Sequence, residues 1–109
     1  MAWLHLVSYF FGGVVLANAV PHLVSGGSGR PFQTPFADPP GEGLSSSSVN
    51  ALWGFFNLVV GYLLVAQVGS FDARDLAQAG ALGLGALVMW LFLARTFGRL
   101  HGGNAPDGR

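Results

Sequence analysis

Three apolar stretches, residues 1–29, 43–71 and 76–94, contain no Asp, Glu, Lys or Arg, and each is at least 19 residues long. A helix of about 20 residues crosses the roughly 30 Å hydrocarbon layer of a bilayer. One central Lys or Arg costs about 3 kcal/mol on insertion, which offsets about six Leu or Phe side chains. The pattern therefore predicts an all-α membrane protein, a single integral domain over residues 1–109 with transmembrane helices at about 3–24, 49–68 and 76–97. Between the first two lies "SGGSGRPFQTPFADPPGEGLSSSS", residues 25–48, too rich in Gly, Pro and Ser for a regular helix. Loops of this length are uncommon unless functional or disordered. The pairs Pro31-Phe32 and Pro35-Phe36 supply rings that can dock, so a partly ordered cap over one membrane face is expected. A serine caps the second helix. Asp72 is expected to cap the third, with Asp75 three positions on at the positive end of the helix dipole. Gly102 and Gly103 stop that helix, and residues 102–109 are expected to form a flexible tail.

Polar residues inside the apolar stretches carry the next information. Asn50, Gly54, Asn57 and Gly61 fall within about 60° of one another at 100° per residue. Such a narrow stripe of glycine and amide is either a packing seam, where backbones approach and amides bond across, or one wall of a polar cavity. Asn18 and His22 are four residues apart and share a face of the first helix. Consecutive helices run antiparallel, so the end of the first and the start of the second lie at similar depth. At 1.5 Å per residue Asn18 lies about 6 Å deeper than His22, and Asn57 about 10 Å deeper than Asn50. Asn18, His22, Asn50 and Asn57 are therefore expected to form one polar intramembrane cluster, the blander alternative being His22 at the headgroup boundary. In the third helix Ala73, Ala77, Ala81 and Gly85 recur every fourth residue. With Gly54 and Gly61 on the second helix, Ala77, Ala81 and Gly85 are the expected helix-packing positions, within the chain or between two copies. Trp3, Trp53 and Trp90 fit an interfacial belt.

Composition narrows the class. Only 9% of residues are charged, against about 25% in ordinary soluble domains. Net charge is zero and Lys is absent, so no nucleic-acid partner is expected. Cysteine is absent. The connection at 25–48 and the C-terminus share one side of the membrane and carry Arg30, Arg95, Arg99 and Arg109, whereas the other side has Arg74 alone. The positive-inside rule then predicts a multi-pass protein of the cytoplasmic membrane with the N-terminus outside and the C-terminus in the cytoplasm. The triplet Ala17-Asn18-Ala19 resembles a signal-peptide cleavage site, but no basic residue precedes the apolar stretch and Pro21 follows closely. A retained helix is expected.

Catalytic signals are weak. "GGSGR" at 26–30 lacks the second glycine of a nucleophile elbow, and "GLGALV" at 83–88 lacks the last glycine of a dinucleotide loop. No histidine pair has metal-ligand spacing, and carboxylates occur only in the connections and tail. No catalytic residue, metal or cofactor is assigned, and the chain is expected not to be an enzyme. Length and composition invite comparison with the small multidrug exporters, but the glutamate that family carries in its first helix is missing here. The first expectation is a protein that acts through helix packing, in a homo-oligomer or with a larger membrane partner in the bilayer. The alternative is a small-molecule binding or transport subunit built on the Asn/His cluster. Less favoured is a haem or quinone membrane anchor, since His22 and His101 would lie on one membrane side.

Overall fold

In the computed structural model, which describes residues 2–105 and 107, three long helices make up most of the chain. They are α1 (Ala2–Gly27), α2 (Ser47–Ala66) and α3 (Leu76–His101). All three are long and apolar enough to cross a membrane, with lengths of about 39, 30 and 39 Å at 1.5 Å per residue. Large apolar side chains cover their outer faces, Leu52 being 71% and Leu76 86% exposed. Surface of that kind suits lipid better than water.

The helix ends differ from the expected ones for local reasons. α1 runs through Pro21, whose ring removes only one backbone donor, and continues to Gly27. It ends in a Schellman turn: Arg30 N–H donates to Ser25 O (2.9 Å), Gly29 N–H to Gly26 O (3.1 Å), and Gly29 takes the left-handed φ of 76°. Ser25, Gly26 and Gly27 thus belong to the helix and not to the connection. α2 begins at Ser47 because Ser46 is its cap, accepting from Val49 N–H at 3.2 Å. Asp72 does not cap α3. Asp75 does, accepting from Gln78 N–H, while Asp72 closes a small turn onto Arg74 N–H and offers its own N–H to Gln78 Oε1. The Asp72–Asp75 spacing fits a cap with its third residue, but the side chain next to the first helical residue reaches the orphan donors first. α3 ends at Gly102, φ 80°.

α1 is the central helix, packed against both α2 and α3, which hardly touch each other. Glycines set how closely it is approached. A Cβ on Gly54 or Gly61 would strike Leu23 or Leu16 of α1, and one on Gly26 would strike the α2 backbone at Ala51. On the other side Gly13 lies against the α3 backbone at Leu82 and Ala86, and Gly85 against the Phe10 carbonyl. The Ala77–Ala81–Gly85 row is therefore divided: Gly85 is buried against α1, Ala81 is half-buried and Ala77 is exposed.

At the far end from His22, Ser8 Oγ donates to Leu64 O (2.6 Å) and the fully buried Tyr9 hydroxyl to Val68 O (2.7 Å). The connection between α1 and α2 folds back on itself. Its strands β1 (Phe32–Gln33) and β2 (Leu44–Ser45) pair antiparallel, Phe32 opposite Ser45 and Gln33 opposite Leu44. Arg99 of α3 reaches Glu42 at 3.7 Å, an exposed pair of small energetic weight. Part of the expected flexible tail is folded, since Asn104 Nδ2 donates to Arg95 O at 3.0 Å. Positions 106, 108 and 109, including the expected cytoplasmic Arg109, lie outside the described residues.

Candidate functional site

The buried residues of α2 are Asn50, Gly54, Asn57 and Gly61. The two asparagines meet α1 in two separate pairs. His22 Nδ1 lies 2.8 Å from Asn50 Oδ1, and Asn18 Nδ2 donates to Asn57 Oδ1 at 3.1 Å. Both pairs can be oriented from their second partners. Asn50 Nδ2 faces three carbonyls, Phe32 O, Ser45 O and Ser46 O, at 3.0–3.2 Å. Its amide nitrogen must point there, so Oδ1 is the atom that meets His22 and the imidazole carries its proton on Nδ1. Asn57 Nδ2 donates to Trp53 O at 2.8 Å, so its Oδ1 accepts from Asn18.

Asn50 is thus a structural hub. It is 0% exposed, and it ties helix α1, the β1–β2 hairpin and its own helix cap together through one side chain. The hairpin in turn brings Phe32 onto the His22 ring (centroids 5.6 Å apart) and onto Phe97 of α3 (4.7 Å). His101, at the end of α3, lies 5.4 Å from Phe32 by ring centroids, and its Nε2 is 3.0 Å from Gln33 Oε1. Gln33 and Thr34 are both buried although they sit in a connecting segment.

Where α1, α3, Trp53 of α2 and the hairpin converge they leave a cleft of about 300 Å³. α1 contributes Asn18 and His22, and α3 contributes Phe92, Leu93, Thr96 and Phe97. Gln33, Thr34, Pro35, Pro40 and Gly41 close it from the loop side. Asn50 and Asn57 do not line it. They stand behind His22 and Asn18 and hold them in place. The sequence-predicted cluster therefore separates into two residues that face the cleft and two that position them.

Trp53 takes a place that a belt assignment did not foresee. Its ring lines the cleft, stacks on Phe56 (16° between planes, 5.7 Å) and meets Phe36 and His22 edge-on. Its Nε1–H is fully buried with no acceptor among the described residues. Gln33, Thr34, Thr96 and Phe97 were also missed. The first two stand in a Gly/Pro-rich segment, and the others carry no periodic signal that separates them from lipid-facing neighbours. Among the described residues no group of three or more His, Cys, Asp or Glu is arranged to hold a metal.

No family model, no curated protein and no solved structure matches the chain.

Proposed function

We propose that this chain is a non-enzymatic, multi-pass protein of the cytoplasmic membrane that binds a small apolar molecule in the cleft between α1, α3 and the hairpin. The observation that carries this reading is the composition of that cleft, a mostly apolar lining of about 300 Å³ with the polar edges of Asn18 and His22 on one wall. Ligand sites typically combine an apolar lining with a few positioned polar groups, and about 300 Å³ is the lower end of their volume range. Arg30, Arg95 and Arg99 lie at the same end of the molecule as the cleft, which supports a cytoplasmic location for it under the positive-inside rule. Binding is favoured over catalysis because the imidazole of His22 is backed by an amide and not by a carboxylate.

Protein purified in mild detergent is expected to release a small molecule in equimolar amount on denaturation. Thr96→Trp, which fills the cleft, is expected to lose it while keeping the same helical content. Equal release from both proteins would remove the cleft as the site.

A bis-histidine haem between His22 and His101 is disfavoured by Phe32, whose ring contacts both imidazoles and fills the gap. A second reading, helix association with another copy, is favoured by one observation. Gly80 and Gly83 of α3 have open space over them, and Ala77 beside them is exposed. Small residues on an uncovered helix face permit close approach of a second helix. If that face associates, Gly80→Ile should lower the cross-linked dimer fraction in membranes while leaving ligand release unchanged.

A further inference from the structure

The hydrogen bonds behind the cleft have a direction, and it specifies the chemistry of the occupant. Starting from the three carbonyls, Asn50 Nδ2 donates to them, Asn50 Oδ1 accepts from His22 Nδ1–H, and in the neutral imidazole His22 Nε2 is left as a bare lone pair. The second relay ends the same way. Trp53 O accepts from Asn57 Nδ2, Asn57 Oδ1 accepts from one N–H of Asn18 Nδ2, and Asn18 is left with its Oδ1 as an acceptor and a second N–H. Neither terminal atom has a hydrogen bond among the described residues. Neither is sealed off either, because Trp53 Nε1 is the one fully buried, unpartnered side-chain nitrogen or oxygen there. Asn18 Oδ1 and His22 Nε2 therefore each keep some accessible surface, and both residues line the cleft.

Two acceptors on one wall call for a ligand that donates. Charge narrows it further. No Asp or Glu lines the cleft to pair with an ammonium group, and no Arg lines it to pair with a carboxylate or phosphate. The polar end of the ligand is thus neutral. On the other walls Thr96 offers a hydroxyl, and Gln33, with its Oε1 on His101, offers an amide N–H₂. A donor facing these groups as well gains if the same atom also accepts. A hydroxyl does both on one oxygen. An oxidised quinone can accept from Thr96, from Gln33 or from the second Asn18 N–H, but it brings no donor for Asn18 Oδ1 or His22 Nε2 and leaves both lone pairs unmatched.

We infer that the cleft selects a neutral, hydroxyl-bearing apolar molecule, an alcohol or phenol, whose O–H donates to His22 Nε2 or Asn18 Oδ1 while its hydrocarbon body lies against Phe92, Leu93 and Phe97. This rests on the cleft being a ligand site.

The test uses the full chain in lipid nanodiscs with three probes of matched length: 1-decanol, 1-methoxydecane and decane. The readouts are saturable binding and the ¹⁵N resonance of His22 Nε2, which moves when a lone-pair nitrogen accepts a hydrogen bond. 1-Decanol is expected to bind about tenfold more tightly than the ether, the usual consequence of leaving one buried acceptor unpaired. It should also shift the Nε2 resonance, which decane leaves in place. Asn18→Leu should narrow the alcohol-to-ether ratio, with circular dichroism checking that it folds. Equal affinities for alcohol and ether, abolished by Thr96→Trp, would overturn the hydroxyl inference and leave the binding site standing. If no probe binds saturably, or Thr96→Trp changes nothing, the site itself is wrong and both readings fall.

Discussion

Asn50→Leu is expected to lower the stability of the folded chain by about 3 kcal/mol, the largest effect of any single side chain on α2. The wild-type amide meets one imidazole N–H and three carbonyls, and leucine leaves all of them facing an apolar group. A buried polar group stripped of its partner costs about 1–3 kcal/mol. Partial compensation reduces the sum, since polar groups inside membrane proteins find substitute partners and single interhelical bonds average about 0.6 kcal/mol. The isosteric change Asn50→Asp provides the sharper comparison. It keeps the volume but replaces the three-carbonyl donor with an oxygen, so lone pairs oppose lone pairs. Asn50→Asp is therefore expected to be at least as damaging as Asn50→Leu. Equilibrium unfolding in a mixed micelle measures both, and protease cleavage within residues 30–45 should accelerate in each as the hairpin loses its anchor. Wild-type stability in the aspartate variant would contradict the orientation assigned to the Asn50 amide, and with it the tautomer of His22.

Gly85→Ala is expected to be the most damaging single-methyl change in the protein. A Cβ at this position would overlap the Phe10 carbonyl of α1, a backbone atom that no rotamer change can move aside. The helices must separate locally, and overpacking of this kind costs about 1–3 kcal/mol or more. Gly83→Ala, two residues earlier, has nothing within 4 Å of the added carbon. There the methyl group should leave stability unchanged or raise it by up to about 1 kcal/mol through helix propensity. Thermal unfolding of the two variants side by side measures the difference between a glycine that α1 touches and one that it does not. Equal behaviour of the pair would mean that α3 does not cross α1 where the structure has it.

Much of this architecture could be read directly from spacing. Charge-free runs located three helices, because a buried charge in lipid is costly enough to leave its absence visible in the sequence. The 4–3–4 spacing of Asn50, Gly54, Asn57 and Gly61 placed those residues on one face, since helical geometry alone converts spacing into direction. Depth counting from the same rise per residue set His22 level with Asn50 and Asn18 near Asn57, the partners they have in the fold. Capping was less legible. Asp72 and Asp75 both satisfy the composition of a helix start, and which one reaches the free N–H groups depends on backbone torsions that composition does not encode.

What the sequence by itself determined is a matter of local period and solvation: three apolar helices, a glycine–amide stripe, and the antiparallel sense that brings Asn18 and His22 to the α2 stripe. Only the tertiary structure decided that α1 is the central helix, that Gly85 and not Ala77 takes up contact with it, and that Gln33, Thr34 and Trp53 enclose a cleft. Those outcomes depend on which helix pair packs most closely and on how a Gly/Pro-rich segment folds back over it. Both are set by contacts between residues far apart in the chain, for which no short-range pattern exists.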